Sequence, residues 1–207
     1  NGEITLAQLN DSLSDLRTHA LYGSGMEDFV QDYIDYITRA HKENLKVDEG
    51  AVLGIEERLD FSHVVPEGFG TGDGVLIAHN LLELVDLKYG MGIMVYAEDN
   101  SQLMLYALGA LRKYEMMYDI QTIKLTIVQP RRSSISSWGI SVERLNKWAE
   151  EEVRPKAEMA NKGEGELKTG DHCRFCPVKK TCSAHHKEAQ EAAKFEFAEP
   201  KLLPEQA

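Results

Sequence analysis

With 207 residues and 43% apolar content, the chain can bury one packed domain with appendages and does not have the composition of a disordered segment. No apolar run approaches the roughly 18–20 residues of a membrane span, and the N-terminus lacks the charged-then-apolar pattern of a signal peptide. A net charge of −11 argues against nonspecific nucleic-acid binding by a broadly basic surface and leaves local contacts, through a basic groove or metal ions facing phosphates.

Leu6, Leu9, Leu13 and Leu16 recur at three- and four-residue steps, as do Phe29, Tyr33, Tyr36 and Ile37. This predicts helices across residues 5–41, broken at Gly23-Ser24-Gly25. Residues 42–49 read as a charged connector. A strand is expected from Val52, with Leu53, Ile55, Glu57 and Leu59 alternating against Val52, Gly54, Glu56 and Arg58. Residues 63–72 read as a loop. Two short strands, 73–78 and 81–88, joined at His79-Asn80, predict an antiparallel hairpin. Asp99-Asn100-Ser101 offers caps for a helix over 102–117. Further strands are expected at 120–129 and 137–141, then a helix over 141–161, a polar linker over 163–170, the cysteine cluster and a polar helical tail. The fold class is α/β (α+β), a central mixed sheet flanked by helices. The expected organisation is an N-terminal helical segment (1–50), a core (51–162) and a cysteine-bearing extension packed on it (163–207).

Chemistry concentrates between Gly70 and Tyr106. The run Gly70-Thr71-Gly72-Asp73 precedes an apolar strand ending Val85-Asp86-Leu87-Lys88, and Gln102 and Tyr106 follow at one helical turn. Carboxylates are the ligands Mg²⁺ and Mn²⁺ prefer, so Asp73 and Asp86 on neighbouring strands are candidate metal ligands. The Leu87 backbone carbonyl between them is a further candidate. Asp86 and Lys88 are two apart on a strand and share a face, which lets the lysine act on a metal-bound water or on developing phosphate charge. Gln102 and Tyr106 meet on one helix face near its N-terminus, where phosphate is favoured.

Gly-x-x-Asp, then an apolar strand ending Asp-x-Lys, then Gln-x-x-x-Tyr opening a helix, resembles motifs II, III and IV of RecB-family nucleases in the PD-(D/E)XK superfamily. From about Val52 to Cys182 the chain is similar to phage and prophage proteins of that group, which resemble the CRISPR-adaptation iron–sulfur nucleases. The resemblance implies a restriction-endonuclease-like core and Mg²⁺- or Mn²⁺-dependent cleavage of DNA. It points to an exonuclease of phage recombination or replication, acting in the bacterial cytoplasm, with a phage recombination protein as a further partner. It makes Asp73 and Asp86 metal ligands, Lys88 the catalytic lysine, Gln102 and Tyr106 the motif IV pair, and Glu56 an additional carboxylate. The family's early-helix His has no match at His19, His41, His63 or His79. With the start at Asn1-Gly2-Glu3, this reads as a fragment whose first motif lies upstream. The alternative function is a catalytically degenerate nuclease-fold module that binds DNA or protein; a third is a zinc-stapled interaction domain.

Cys173, Cys176 and Cys182 are the chain's three cysteines. Their number and tight spacing argue against a secreted disulfide framework and for a metal site in a reducing compartment. The resemblance implies a 4Fe–4S cluster with a fourth cysteine upstream; zinc with His172, His185 or His186 and three free thiols are the alternatives. Arg131-Arg132 reads as a phosphate contact or a solvated loop. Lys168, Arg174, Lys179 and Lys180 read as a basic patch, and Trp138 and Trp148 as packing residues.

Overall fold

The computed structural model describes residues 5–196. The chain divides into two compact units, Asn1–Glu158 and Met159–Ala207. The first unit is built on a five-stranded sheet in the order β1-β2-β3-β4-β5, with β1 at Val52–Asp60, β2 at Phe69–Ala78, β3 at Leu81–Leu87, β4 at Thr122–Gln129 and β5 at Ser134–Ser141. All neighbours are antiparallel except β3 and β4. That parallel pair needs a crossover, and the chain between β3 and β4 carries the helix α3 (Ser101–Tyr114). Helices flank the sheet on both faces.

Helix α1 (Leu6–Thr18) opens with a capping box between Thr5 and Gln8. Helix α2 (Met26–Val47) runs through the expected connector, because Lys42, Glu43, Leu45 and Lys46 are good helix formers. Its Tyr33 and Ile37 pack with Leu76, Val85 and Val128 on one sheet face. Helix α3 (Ser101–Tyr114), capped by the Asn100 side chain, packs on the other. There Leu103, Ala107, Leu108 and Leu111 meet Leu82, Leu84, Ile123, Leu125 and Ile127. Helix α4 (Val142–Trp148) leads through a π-helical turn, Ala149–Val153, into α5 (Arg154–Asn161), so the expected single helix is interrupted. Trp138 and Trp148 are packed against the α3-side core. In the second unit, two 3₁₀ turns (Asp171–Phe175 and Lys179–Thr181) carry the cysteines into α6 (Ser183–Glu196). No helix among the described residues is long and apolar enough to cross a membrane.

The β1–β2 hairpin is bent, and the bend has an identifiable cause. Glu56 adopts a φ of 52°, in the left-handed region. Pairing holds at Ile55–Gly74 and Glu57–Gly72 but skips the Glu56–Asp73 position between them. The alternation of side chains inverts there. Leu53 packs on the α2 side, whereas Leu59 is in the α3-side core and Glu57 pairs with Lys113 of α3. The partner strand inverts too: a Cβ on Gly74 would strike Ile37 of α2, and one on Gly70 would strike the Tyr106 ring of α3. Strand β2 therefore starts at Phe69, inside the expected loop, and Asp73 sits in mid-strand at the bend rather than at a strand start. A left-handed non-glycine residue costs about 1–2 kcal/mol, and glycine recovers this less roughly 0.5–1 kcal/mol of chain entropy. Glu56→Gly is expected to raise the denaturation midpoint and Glu56→Ala to leave it lower than Glu56→Gly. A glycine variant less stable than the alanine variant would contradict a left-handed Glu56.

Candidate metal and phosphate site

The site forms where β2 and β3 part. Their pairing ends at Gly74–Val85. Beyond it the Leu87 N–H, which would otherwise continue the ladder, donates to Asp73 Oδ2 at 2.8 Å. The Lys88 N–H bonds the Val128 carbonyl on β4, so by the alternation of an extended chain the Leu87 carbonyl lies on the β2 side with its own N–H. Asp73 is thus held beside the last residue of β3 by a main-chain bond.

Asp86 lies on the α3 side of β3 and is 4% exposed. Lys88 Nζ approaches its Oδ2 at 2.8 Å. The ammonium is at ion-pair distance but off the direction of a hydrogen bond, and Oδ2 has no hydrogen-bond donor. Burial pushes the Asp86 carboxyl above the ordinary carboxylate range; Lys88 opposes the rise and the Asp73 charge adds to it. Lys88 Nζ also donates to Gln102 Oε1 at 3.0 Å, and Gln102 Nε2 donates to the Tyr106 hydroxyl at 3.1 Å. Asp86, Lys88, Gln102 and Tyr106 therefore form one continuous line of contacts from β3 to the first turns of α3. Tyr106 in turn lies against Gly70, where only a glycine leaves room for its ring. Glu56 is exposed, opposite Asp73 on β1.

Tyr33 was expected only as part of a helical stripe, and the structure places it at this cluster. Its phenol is buried, and burial raises its pKa, with the charges of Asp73, Asp86 and Glu56 adding to the effect. The arginines after β4 also differ from a solvated loop. Arg132 donates to the carbonyls of Met91 and Gly92, and Arg131 lies 5.0 Å over the Tyr89 ring. Beside them the buried Gln129 accepts from the Val95 N–H and donates to the Ile93 carbonyl, fixing the segment between Lys88 and α3.

The donor set at Asp73 and Asp86 fits Mg²⁺ or Mn²⁺. Both are hard oxygen ligands, the buried Asp86 Oδ2 faces the Lys88 ammonium without an aligned hydrogen bond, and Mg²⁺ is commonly held by one or two carboxylates with waters and phosphate completing its shell. The cysteine segment is different. Cys173, Cys176 and Cys182 are free thiols, and the His172 and His186 rings contact the carbonyls of Lys168 and Lys180. Among the described residues no three His, Cys, Asp or Glu side chains form a group that could hold a metal ion. The three cysteines are not gathered into such a group among the described residues.

The raised Asp86 pKa has a stability consequence. The folded state binds its proton more readily than the unfolded chain, so this group's contribution falls as pH rises from the unfolded value through the folded one. Asp86→Asn is expected to be more stable than the parent at neutral pH without metal, by about 1 kcal/mol, the scale of one uncompensated buried polar group. The gain should disappear at acidic pH, where the parent carboxyl is protonated. Urea denaturation at the two pH values checks this; a gain that grows toward acid would contradict it.

A solved structure described as "Crystal structure of SSO0001" is 13% identical to this chain, over 89% of this chain and 98% of that one, with a TM-score of 0.33. Residues 2–207 match the family described as "Protein of unknown function (DUF2800)". Because that match spans nearly the whole sequence, the chain belongs to the DUF2800 family.

Proposed function

We propose that the protein is a divalent-metal-dependent DNA nuclease of the RecB-like class in the PD-(D/E)XK superfamily, hydrolysing phosphodiester bonds as an exonuclease in phage recombination or replication. The observation that carries the reading is the unbroken line Asp86–Lys88–Gln102–Tyr106, with Asp73 fixed beside it. Asp73 and Asp86, with the Leu87 carbonyl, would hold Mg²⁺ or Mn²⁺; Glu56 adds negative charge across the bend. The bound ion would supply an activated water and shield phosphate charge. Lys88 pairs its charge with Asp86 and donates to Gln102, which leaves N–H donors for the water or the phosphate. Tyr106 accepts from Gln102, so its own proton is available to a phosphate oxygen. The N-terminal turn of α3 adds a favourable field for that anion.

A second reading is a catalytically silent module of the same fold that binds DNA or a protein partner. The net charge of −11 favours it, as does the fact that no group of three or more His, Cys, Asp or Glu able to hold a metal forms among the described residues.

End-labelled linear DNA incubated with the full chain separates the two. The nuclease reading expects loss of label with Mn²⁺, none with EDTA, and a decrease of about a hundredfold or more in Lys88→Ala, the scale of removing one preorganised charge-stabilising donor. Mn²⁺-insensitive binding without turnover would establish the silent module instead. Equal cleavage by the parent and Lys88→Ala would remove the lysine from the mechanism. A cluster or zinc at Cys173, Cys176 and Cys182 is a separate matter, decided by iron and zinc analysis and visible absorbance of anaerobically prepared protein.

A further inference from the structure

We propose that Tyr33 is a positioning residue for a hydrated divalent cation, its phenol oxygen bonding a water in the shell of an ion held by Asp73 and Asp86. The inference rests on the reading of those two carboxylates as a metal pair.

Tyr33 is 9% exposed, and its Oη is shielded from solvent and makes no hydrogen bond. Leaving a buried hydroxyl unbonded is destabilising, so such a group in a packed position calls for an explanation. Pure packing would be served equally by phenylalanine, which lacks the cost. The helix does not leave the ring free to choose another place. Ile37, one turn on, packs beside it on the sheet, and Gly74 is what lets α2 come this close: a Cβ there would stand 2.8 Å from Ile37 Cδ1 and 3.4 Å from Tyr33 Oη.

Asp86 Oδ2 is buried as well, and only the Lys88 ammonium, 2.8 Å away and off the direction of a hydrogen bond, faces it. The Tyr33 phenol stands over Gly74, the residue after Asp73, and feels the charges of Asp73, Asp86 and Glu56. A hydrated cation would satisfy the phenol: the carboxylates take the ion, and the phenol takes a water that the ion orders. Mg²⁺ and Mn²⁺ suit this because few protein ligands are needed when waters fill the shell. Groups in that outer position typically change metal affinity by 10–100-fold when removed. The phenol approaches from α2 while Lys88, Gln102 and Tyr106 approach from β3 and α3, so Tyr33 would fix the ion without occupying the phosphate side.

The test is Mn²⁺ binding to the full chain, read from the electron paramagnetic resonance signal of free Mn²⁺, alongside the metal-free melting temperature. Tyr33→Phe is expected to melt at or above the parent temperature without metal and to bind Mn²⁺ roughly tenfold or more weakly. A Tyr33→Phe protein that binds Mn²⁺ as tightly as the parent overturns the role of Tyr33 and leaves the carboxylate pair standing. A Tyr33→Phe protein that melts well below the parent marks the hydroxyl as structural and also overturns it. If the parent and Asp86→Asn alike fail to bind Mn²⁺, the metal-pair reading itself falls, and this inference with it.

Discussion

The structure turns on a single substitution of partners, in which the Asp73 carboxylate takes the Leu87 amide that a regular ladder would give to β2. A sheet interior cannot leave a main-chain donor unpaired without loss. Because a side chain fills the gap, β2 can swing away from β3 without that penalty. The swing coincides with the inversion at Glu56, so two strands bend together across one skipped pair. Everything chemically suggestive lies within reach of this parting: Asp86 and Lys88 on the strand that stays, Glu56 and Asp73 on those that leave.

The two helices that cover the sheet have different jobs at this place. On the α3 side, polar contacts extend from the strand to the helix and end at exposed groups. On the α2 side, Tyr33 and Ile37 press closely over Gly74, and the helix is tied down one turn further by a satisfied network. There the buried Glu83 carboxylate accepts from Tyr36 and Thr126 at 2.8 Å each and from Lys124 at 3.0 Å. A buried carboxylate with three partners is tolerable, whereas one missing a partner is costly, so this network sets where α2 lies more than it adds stability. The contrast with Asp86 is instructive. Two carboxylates sit on opposite faces of the same strand, one held by Tyr36, Thr126 and Lys124 and one faced only by the Lys88 ammonium.

Much of this was legible in the sequence because its signals are local. The hairpin at His79-Asn80, the capped helix after Asn100 and the shared faces of Asp86 with Lys88 and Gln102 with Tyr106 follow from spacing alone, and the mixed sheet follows from the order of the elements. The early start of β2 was hidden because glycines at 70 and 72 read as loop, when their missing side chains are what admits Tyr106 and Leu59 to the strand surface. The inversion at Glu56 was hidden because glutamate has no preference for a left-handed backbone. Tyr33 was read as one aromatic in an apolar stripe. Its distinction depends on residues some forty and fifty positions later, and no local pattern separates a phenol facing carboxylates from one facing a core.

Gln129 carries a consequence of a different kind. Its buried amide accepts from one backbone group of the Ile93–Val95 segment and donates to another, as a neighbouring strand would. It reads only main-chain atoms, which every residue except proline supplies at the donor position. The segment beside the proposed site can therefore exchange its exposed side chains, Met91, Ile93 and Tyr96 among them, while its path stays anchored. A surface held in that way can exchange its side chains at little cost to the scaffold.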